Sequence, residues 1–271
     1  QDWAYSDIDD RDAGGVRSYQ NDQAFTWRAG LLYLGENGVS PYASYARSFQ
    51  PQVGTDSSGV AKGWAPLEGE QYEAGIKFQP NGTRSFVQVA GFHLTQRNTL
   101  TPDPLSPFEQ VAVGEIRVRG VELEAVAELG GGVSLVGSYT YLDPEITQSN
   151  AAGELGHRPA GVAKNNAGLY AEYSLAAFNG PLGGLTLGAG VRYLGNTSAV
   201  NTGGAVVPDV TLFDASLRYD LSRLSERMQG LQLALNASNL ADTRYVARCS
   251  GETGCFYGNR LNVLGSLSYK W

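Results

Sequence analysis

The feature that most constrains this chain is an alternation of apolar and polar side chains with a period of two, repeated in segment after segment. Leu185, Leu187, Ala189, Val191 and Tyr193 alternate with Thr186, Gly188, Gly190 and Arg192. Val133, Leu135, Gly137, Tyr139 and Tyr141 alternate with mostly small or hydroxylated residues, and Leu261, Val263, Gly265, Leu267, Tyr269 and Trp271 form a similar row near the end. Successive side chains of a strand point to opposite faces, so each segment has one apolar and one mainly polar face. The pattern predicts about twelve strands, near 1–7, 23–35, 39–50, 69–79, 84–97, 109–129, 133–146, 164–176, 184–195, 208–221, 231–241 and 260–271. Several exceed the ~9–11 residues that cross a bilayer at a tilt, which implies projection beyond a membrane on one side.

The connections alternate in length. Short ones carry Glu36-Asn37-Gly38, Pro80-Asn81-Gly82 and Gly130-Gly131-Gly132, with somewhat longer turns near 177–183 and 222–230. Asn-Gly supplies the positive φ angles that tight hairpins require. Between them lie long polar loops near 8–22, 51–68, 98–108, 147–163, 196–207 and 242–259. Short turns on one rim and long loops on the other are the asymmetry of an outer-membrane barrel. The fold expected is therefore all-β, a transmembrane antiparallel barrel wall over 1–271 with the short turns on the periplasmic side. Aromatics near strand ends (Tyr33, Phe78, Tyr173, Tyr193, Tyr219, Tyr269, Trp271) fit an interfacial girdle, although aromatics are common in any strand.

Composition narrows the partners. No stretch approaches the ~18 uninterrupted apolar residues of a membrane helix, while a barrel strand shows lipid only every second side chain and keeps mean hydropathy near that of a soluble protein. The net charge of −7 and the lack of a basic stripe argue against nucleic acid as a partner. The two cysteines, Cys249 and Cys255, lie six apart in a Gly-rich loop. A disulfide there suits an oxidising compartment; two unrelated free thiols are the alternative. Gln1 opens directly into strand-like sequence, so the chain is expected to begin inside a longer polypeptide.

Chemistry-bearing motifs are few. His93 and His157 are the only histidines, and neither has a partner at metal-ligand spacing. No nucleophile elbow, phosphate loop or dinucleotide fingerprint stands in a supporting context, so neither catalysis nor a resident metal or covalent cofactor is expected. In 109–129 the apolar residues change parity, from Ile116 and Val118 to Val121, Leu123, Ala125, Ala127 and Leu129, which predicts a β-bulge at Gly120. With that bulge, Glu122, Glu124 and Glu128 share the inward face with Arg117 and Arg119.

Several segments resemble the TonB-dependent receptor family. They include Thr26-Trp27-Arg28, Asn37-Gly38-Val39-Ser40-Pro41-Tyr42, Glu70-Gln71-Tyr72-Glu73-Ala74-Gly75-Ile76-Lys77 and 114–124, followed by 136–141, 236–245 and the terminal Tyr269-Lys270-Trp271. Within it the chain is similar to the ferrichrome-type, hydroxamate-siderophore branch, whose last outer loop also carries two cysteines six apart followed by Phe256-Tyr257-Gly258 as they stand here. At Ser250 the sequence departs from an aromatic of that branch, so the resemblance implies the substrate class and not ferrichrome itself.

The resemblance implies a barrel of about twenty-two strands, of which this chain supplies the last twelve, with an N-terminal plug that engages TonB. It implies a monomer in the outer membrane of a Gram-negative bacterium that imports a ferric siderophore, iron arriving already chelated. It also implies a disulfide between Cys249 and Cys255, and a C-terminal signal at Tyr269 and Trp271 read by the barrel assembly machinery. Trp64, Phe108, Phe256 and Tyr257 lie in outer loops where aromatic surface suits a neutral, bulky ferric hydroxamate. Three rivals remain: a complete twelve-stranded barrel acting as a lipid hydrolase, a passive porin, and a soluble adhesion-type β-structure.

Overall fold

The computed structural model describes residues 2–10, 16–55, 61–249, 251 and 254–271. In chain order its strands are β1 (Asp2–Asp10), β2 (Val16–Ala24), β3 (Trp27–Leu32), β4 (Val39–Thr55), β5 (Ala61–Phe78), β6 (Phe86–Asp103), β7 (Ser106–Gly130), β8 (Val133–Gln148) and β9 (Asn165–Ser174). There follow β10 (Leu185–Leu194), β11 (Thr197–Ser198), β12 (Val206–Val207), β13 (Val210–Asp220), β14 (Leu231–Ser238), β15 (Val246–Cys249), β16 (Cys255–Tyr257) and β17 (Asn262–Tyr269). Short 3₁₀ turns at Gly180–Gly184, Leu221–Arg223 and Glu226–Met228 occupy two of the short connections. No helix among the described residues is long and apolar enough to cross a membrane.

Eleven strands form one antiparallel meander, in the order β3-β4-β5-β6-β7-β8-β9-β10-β13-β14-β17. The short turns close as the sequence predicts. Gly38 takes φ +82°, Asn37 Oδ1 accepts from the Val39 N–H at 3.1 Å, and the Gln79 N–H donates to the Gly38 carbonyl at 2.9 Å. All three glycines of 130–132 have positive φ, a backbone that side chains with a Cβ resist.

Register sorts the side chains into two faces. The row Ala43, Ala74, Gly91, Val121 and Tyr141 lies directly across β4 to β8, and the row Ile76, Val89, Leu123 and Tyr139 lies beside it. On the far side Leu169, Val191 and Phe213 pair in turn, as do Leu217 and Leu235. This face stays open: Ile76 is 54% exposed, Leu169 51% and Leu267 64%. Described residues buried in an apolar core are few. A soluble protein rarely exposes a contiguous apolar patch beyond a few hundred Å², whereas a barrel turns such a face to lipid. The opposite face carries Glu73, Lys77, Gln88, Glu122, Glu124, Ser138, Glu172, Arg192, Asp214 and Arg218 by the same register.

Aromatic side chains bound the apolar band. Trp27, Tyr45 and Tyr72 form a row of rings on β3, β4 and β5, 4.5 Å and 4.8 Å apart. On the short-turn side stand Phe78, Tyr173, Tyr219 and Tyr269. Val133 pairs with Tyr173 and lies eight residue steps from Tyr141, about 27 Å of strand at ~3.4 Å per residue. Tilted by the usual ~40°, that gives roughly 20 Å of height, near the ~25 Å band of outer-membrane barrels.

The structure departs from the sequence reading at several points. Residues 2–7 of the predicted strand 1–7 do not join the large sheet; they lie in β1, which pairs with β2, and the predicted strand 23–35 divides between β2 and β3. The predicted loops 51–68 and 98–108 are largely continued ladder, with β4 pairing to β5 as far as Thr55↔Ala61 and β6 to β7 as far as Asp103↔Ser106. Backbone groups that leave the bilayer still need partners, and the antiparallel neighbour supplies them. Register slips by Gln50/Gln52 and Arg97/Thr99 are stitched by Gln52, whose amide donates to the Ala65 and Asn98 carbonyls at 2.7 and 2.6 Å.

Gly120 hosts no bulge: it pairs in unbroken register with Phe92 on one side and Leu142 on the other. A Cβ at Gly120 would stand 2.5 Å from the Phe92 ring, so the missing side chain makes room for that ring. Parity is therefore kept while chemistry changes face. Arg117 and Arg119 consequently face outward, opposite to Glu122 and Glu124, with Glu145, Asp143 and His93 beside them. The change marks the level at which the strands leave the hydrocarbon.

Candidate functional site

Two regions can receive a ligand, the inner wall and the outer hairpins above it. On the inner wall Tyr42 Oη donates to Glu73 at 2.7 Å and accepts from the Gln88 amide at 2.9 Å, while the Gln71 amide donates to Glu73 at 3.0 Å. Gly75 leaves space for this: a Cβ there would lie 2.7 Å from the Tyr42 ring. Glu122 and Glu124 follow two strands over, across Ala90 and Gln88. This part of the wall is acidic, since Lys77 is its nearby cation and lies over the Phe86 ring at 4.4 Å.

Farther round, inward charges are paired. Arg192 holds Asp214 at 2.5 and 2.9 Å, Arg218 bonds Glu172, and the Tyr170 and Ser216 hydroxyls meet at 2.5 Å. Tyr170 lies across Gly188 and Gly190, where a Cβ would clash with it. Above the acidic stretch the inner face turns apolar, and Leu94, Val118, Leu142 and Val162 line a recess of about 340 Å³ with Phe92, Gln71 and Glu122.

The outward face at that level reverses the pattern. Arg47 pairs with Glu68 at 2.6 Å, Arg97 with Glu70 and Glu115 at 3.3 and 3.2 Å, Arg117 with Glu145, and Lys164 with Asp143 at 3.6 Å. Such exposed pairs contribute only ~0–1 kcal/mol each. Their value here is positional: charges directly above a row of aromatic rings place that level in water and headgroups.

Trp64 lies in β5, where its indole N–H donates to the Gln110 carbonyl at 2.8 Å and its own carbonyl accepts from Gln20 at 2.7 Å. It thus ties β5 to the hairpins β1–β2 and β6–β7. Phe108 falls in β7, and its side chain lies outside the described set, as does Ser250. Cys249 and Cys255 are disulfide-bonded at a paired position of β15 and β16. The bond closes a small hairpin carrying Phe256, which is 52% exposed, and Tyr257, which is 81% exposed. Arg248 lies 5.2 Å over the Phe256 ring. Among the described residues no ring pair joins Trp64 to Phe256 or Tyr257. Tyr269 points outward at the short-turn rim, and its ring lies 6.5 Å from that of the fully exposed Trp271.

A polar knot at the base of this last loop was not singled out from the sequence. Asn239 is 2% exposed and has φ +53°, a left-handed conformation that Asn tolerates better than most residues. Its amide donates to the Thr243 and Asn259 carbonyls at 2.8 and 2.9 Å, and its oxygen accepts from the Thr243 N–H at 2.9 Å. Asp242 accepts from Nε and Nη2 of the Arg260 guanidinium and from the Leu261 N–H at 3.0 Å. Arg260 first and the Leu261 N–H second hold the Asp242 carboxyl down at about 2. The available signal was the run Asn239-Leu240-Ala241-Asp242: two residues able to adopt positive φ, three apart, just after a strand.

His93 accepts from Arg119 Nε at 3.3 Å and stands 3.4 Å from the Thr95 hydroxyl, while the His157 ring lies against Gly203. Among the described residues no group of three His, Cys, Asp or Glu is placed to hold a metal ion.

Residues 2–240 match the family described as TonB dependent receptor-like, beta-barrel. The chain is 43% identical over 272 residues to the ferrichrome outer membrane transporter/phage receptor of Escherichia coli (strain K12), covering 100% of this chain and 35% of that protein. It is 37% identical over 243 residues to the ferrioxamine B receptor of Salmonella typhimurium (strain SL1344), covering 89% of this chain and 33% of that protein. Among solved structures, the siderophore receptor PiuA of Acinetobacter baumannii superposes with a TM-score of 0.74 at 24% identity, covering 95% of this chain and 37% of that one. BauA, the ferric preacinetobactin receptor of the same organism, gives 0.72 at 26%, with 93% and 37% covered. The chain spans about a third of the length of the curated relatives it matches.

Proposed function

Because this chain belongs to the TonB-dependent receptor-like β-barrel family, we propose that it forms part of the wall of a Gram-negative outer-membrane receptor that imports a ferric siderophore. The observation that carries the reading is the two-faced meander: one continuous apolar face bounded by aromatic rings, and one face of polar and charged side chains. The curated relatives named for ferrichrome and ferrioxamine B favour a hydroxamate cargo. The apolar recess around Leu94 and Leu142 and the exposed rings of Phe256 and Tyr257 offer the uncharged surface that a neutral, bulky chelate needs. Trp64 and Phe108 complete the candidate set in neighbouring hairpins. Iron enters as cargo, already chelated.

The acidic inner stretch of Glu73, Glu122 and Glu124 suits a basic surface inside the barrel, which we assign to the plug through which TonB acts. Tyr269 and Trp271, at the end of β17 on the short-turn side, are read as the signal for the barrel assembly machinery. The protein acts as a monomer that binds and translocates. For the hydrolase alternative, no serine is bonded to either histidine among the described residues.

Titration of the full-length receptor with ferric hydroxamates and ferric catecholates, followed by tryptophan fluorescence, tests the proposal. Saturable quenching by a hydroxamate chelate, and growth on it that requires TonB, are expected. Steady conductance in a planar bilayer without TonB, or no preference between chelate classes, would count against it.

A further inference from the structure

The last outer loop, between β14 and β17, is tied to the inner wall through a carboxylate. In β13 Asp214 stands directly across from Gly190, which has no side chain, so its charged neighbour is the diagonal Arg192, within reach of a long side chain on the same face. Arg192 donates Nε to Oδ2 at 2.5 Å and Nη2 to Oδ1 at 2.9 Å, a fork that sets the plane of the carboxylate as well as meeting its charge. The same Oδ1 accepts the Asn239 N–H at 3.0 Å. At Asn239 the chain leaves β14 in a left-handed turn, and the Asn239 side chain clamps both stems of the loop through Thr243 and Asn259.

Packing leaves this loop room to shift. A recess of about 140 Å³ lies between Tyr245 and Val246 of the loop and Leu194 and Val210 of the wall, and atoms facing a void forfeit the contacts that would fix them. Polar bonds in the stems therefore set the loop's place, among them the Gly258 N–H on the Tyr245 carbonyl at 2.9 Å, beside the disulfide hairpin that carries Phe256 and Tyr257. Arg192 is exposed on the inner face, Asp214 is half-buried and Asn239 is buried. The other inward pair, Arg218 and Glu172, makes no bond to this loop among the described residues.

We propose that Arg192 is a positioning residue for chelate binding: it holds the Asp214 carboxylate on the Asn239 N–H and thereby fixes where the last outer loop presents Phe256 and Tyr257. The inference rests on the siderophore reading above and adds to it a control of the outer rings from the inner wall. Without the guanidinium the carboxylate turns about its own side-chain bonds, and the Asn239 N–H loses a fixed acceptor. The stems then hold the hairpin in more than one place, and the chelate must select the fraction in the binding position.

The test uses the full-length receptor with ferrichrome and ferrioxamine B as probes. Binding is followed by tryptophan fluorescence, and the loop stems, 243–246 and 257–259, by amide hydrogen exchange. Arg192→Gln should weaken binding of whichever probe the unaltered receptor holds by at least about fivefold, the low end of coupling between linked sites. It should also raise stem exchange about tenfold, the scale of one charged hydrogen bond, while β10 and β13 keep their protection. Arg192→Lys, which keeps the charge and loses the fork, should fall between. In a background carrying Phe256→Ala and Tyr257→Ala, Arg192→Gln should cost no further affinity, because the rings through which it acts are gone. The reversed pair, Arg192→Asp with Asp214→Arg, returns the ion pair but leaves the Asn239 N–H facing a donor, so it should restore neither readout. Arg218→Gln, which breaks the other inward pair, should change neither. Rescue by the reversed pair, an equal loss in Arg218→Gln, or an undiminished Arg192→Gln effect in the background without the two rings would overturn the proposal. Failure of the unaltered receptor to bind either probe would sink the siderophore reading, whereas binding with unchanged stem exchange in Arg192→Gln would sink only the positioning role.

Discussion

The assignment of faces makes a sharp prediction for two neighbouring rows of the same sheet. Leu123 pairs with Tyr139 on the apolar face, near the middle of the stretch of β7 between Arg119 and Gly130. One step along, Glu124 pairs with Ser138 on the inner face. Leu123→Arg places a guanidinium in hydrocarbon, which costs about 2–4 kcal/mol near the bilayer midplane. Ser138→Arg places the same group opposite Glu124, and Gly168 beyond it leaves room, with its nearest Ser138 approach at 3.4 Å from a built Cβ. An exposed ion pair there contributes ~0–1 kcal/mol in the favourable direction. The two arginine variants should therefore differ by about 2–5 kcal/mol, a factor between about 30 and about 4,000 in folding equilibrium. Urea titration of the full-length protein in lipid vesicles, read by unboiled electrophoretic mobility, measures both. If Ser138→Arg proved as damaging as Leu123→Arg, the faces would be misassigned and the lipid-embedded reading would fall.

Three further outcomes follow from the loop and wall chemistry. Asn239→Ala strands the Thr243 N–H and two carbonyls in a buried site; at ~1–3 kcal/mol for each orphaned group, amide exchange across 243–259 should rise by about 100-fold or more while β13 and β14 keep their protection. The Asp242 carboxyl sits at about 2, below its ordinary ~3.9, so its anchorage of Arg260 is fully present above pH ~4 and is lost as pH falls through about 2. Cleavage of the last loop by pepsin should therefore rise from pH 4 to pH 2, and Asp242→Asn should remove that dependence while cleavage at constitutively open sites stays unchanged. Gly188→Val drives a side chain against the Tyr170 hydroxyl, 1.9 Å from a built Cβ; a loss of ~1–3 kcal/mol is expected, partly restored by adding Tyr170→Ala, and a neutral single variant would refute the packing described.

How much was legible beforehand depends on the range of the interaction. The hairpin glycines, the alternating connection lengths and most crossing strands were readable because they rest on local φ preference and a period of two. The outer ladders were not: the sequences 51–68 and 98–108 are polar and rich in Gly and Pro, yet their described residues pair from Gln52↔Trp64 to Thr55↔Ala61 and from Thr99↔Gly114 to Asp103↔Ser106, because an adjacent strand is already in register. The candidate aromatics could be placed in outer hairpins by position, but whether they share a surface depends on hairpin folds that no local pattern encodes. By local pattern Asn239 reads only as one residue of the predicted strand 231–241. Its importance comes from Asn259, twenty residues away in sequence, whose carbonyl it binds.

The parity change in β7 separates the two sources of information most cleanly. The sequence by itself determined that apolar residues shift from even to odd positions beside Gly120, a change that a bulge would also produce. Only the tertiary structure decided how. With Phe92 occupying the space over Gly120 and Leu142 in step on the other side, the backbone keeps its phase. The strand therefore does not turn its greasy face; the medium outside it changes, from hydrocarbon below to water above. A one-dimensional pattern records that a face is apolar, but which side of a sheet meets lipid, ligand or water is a property of the closed hydrogen-bond ladder around it.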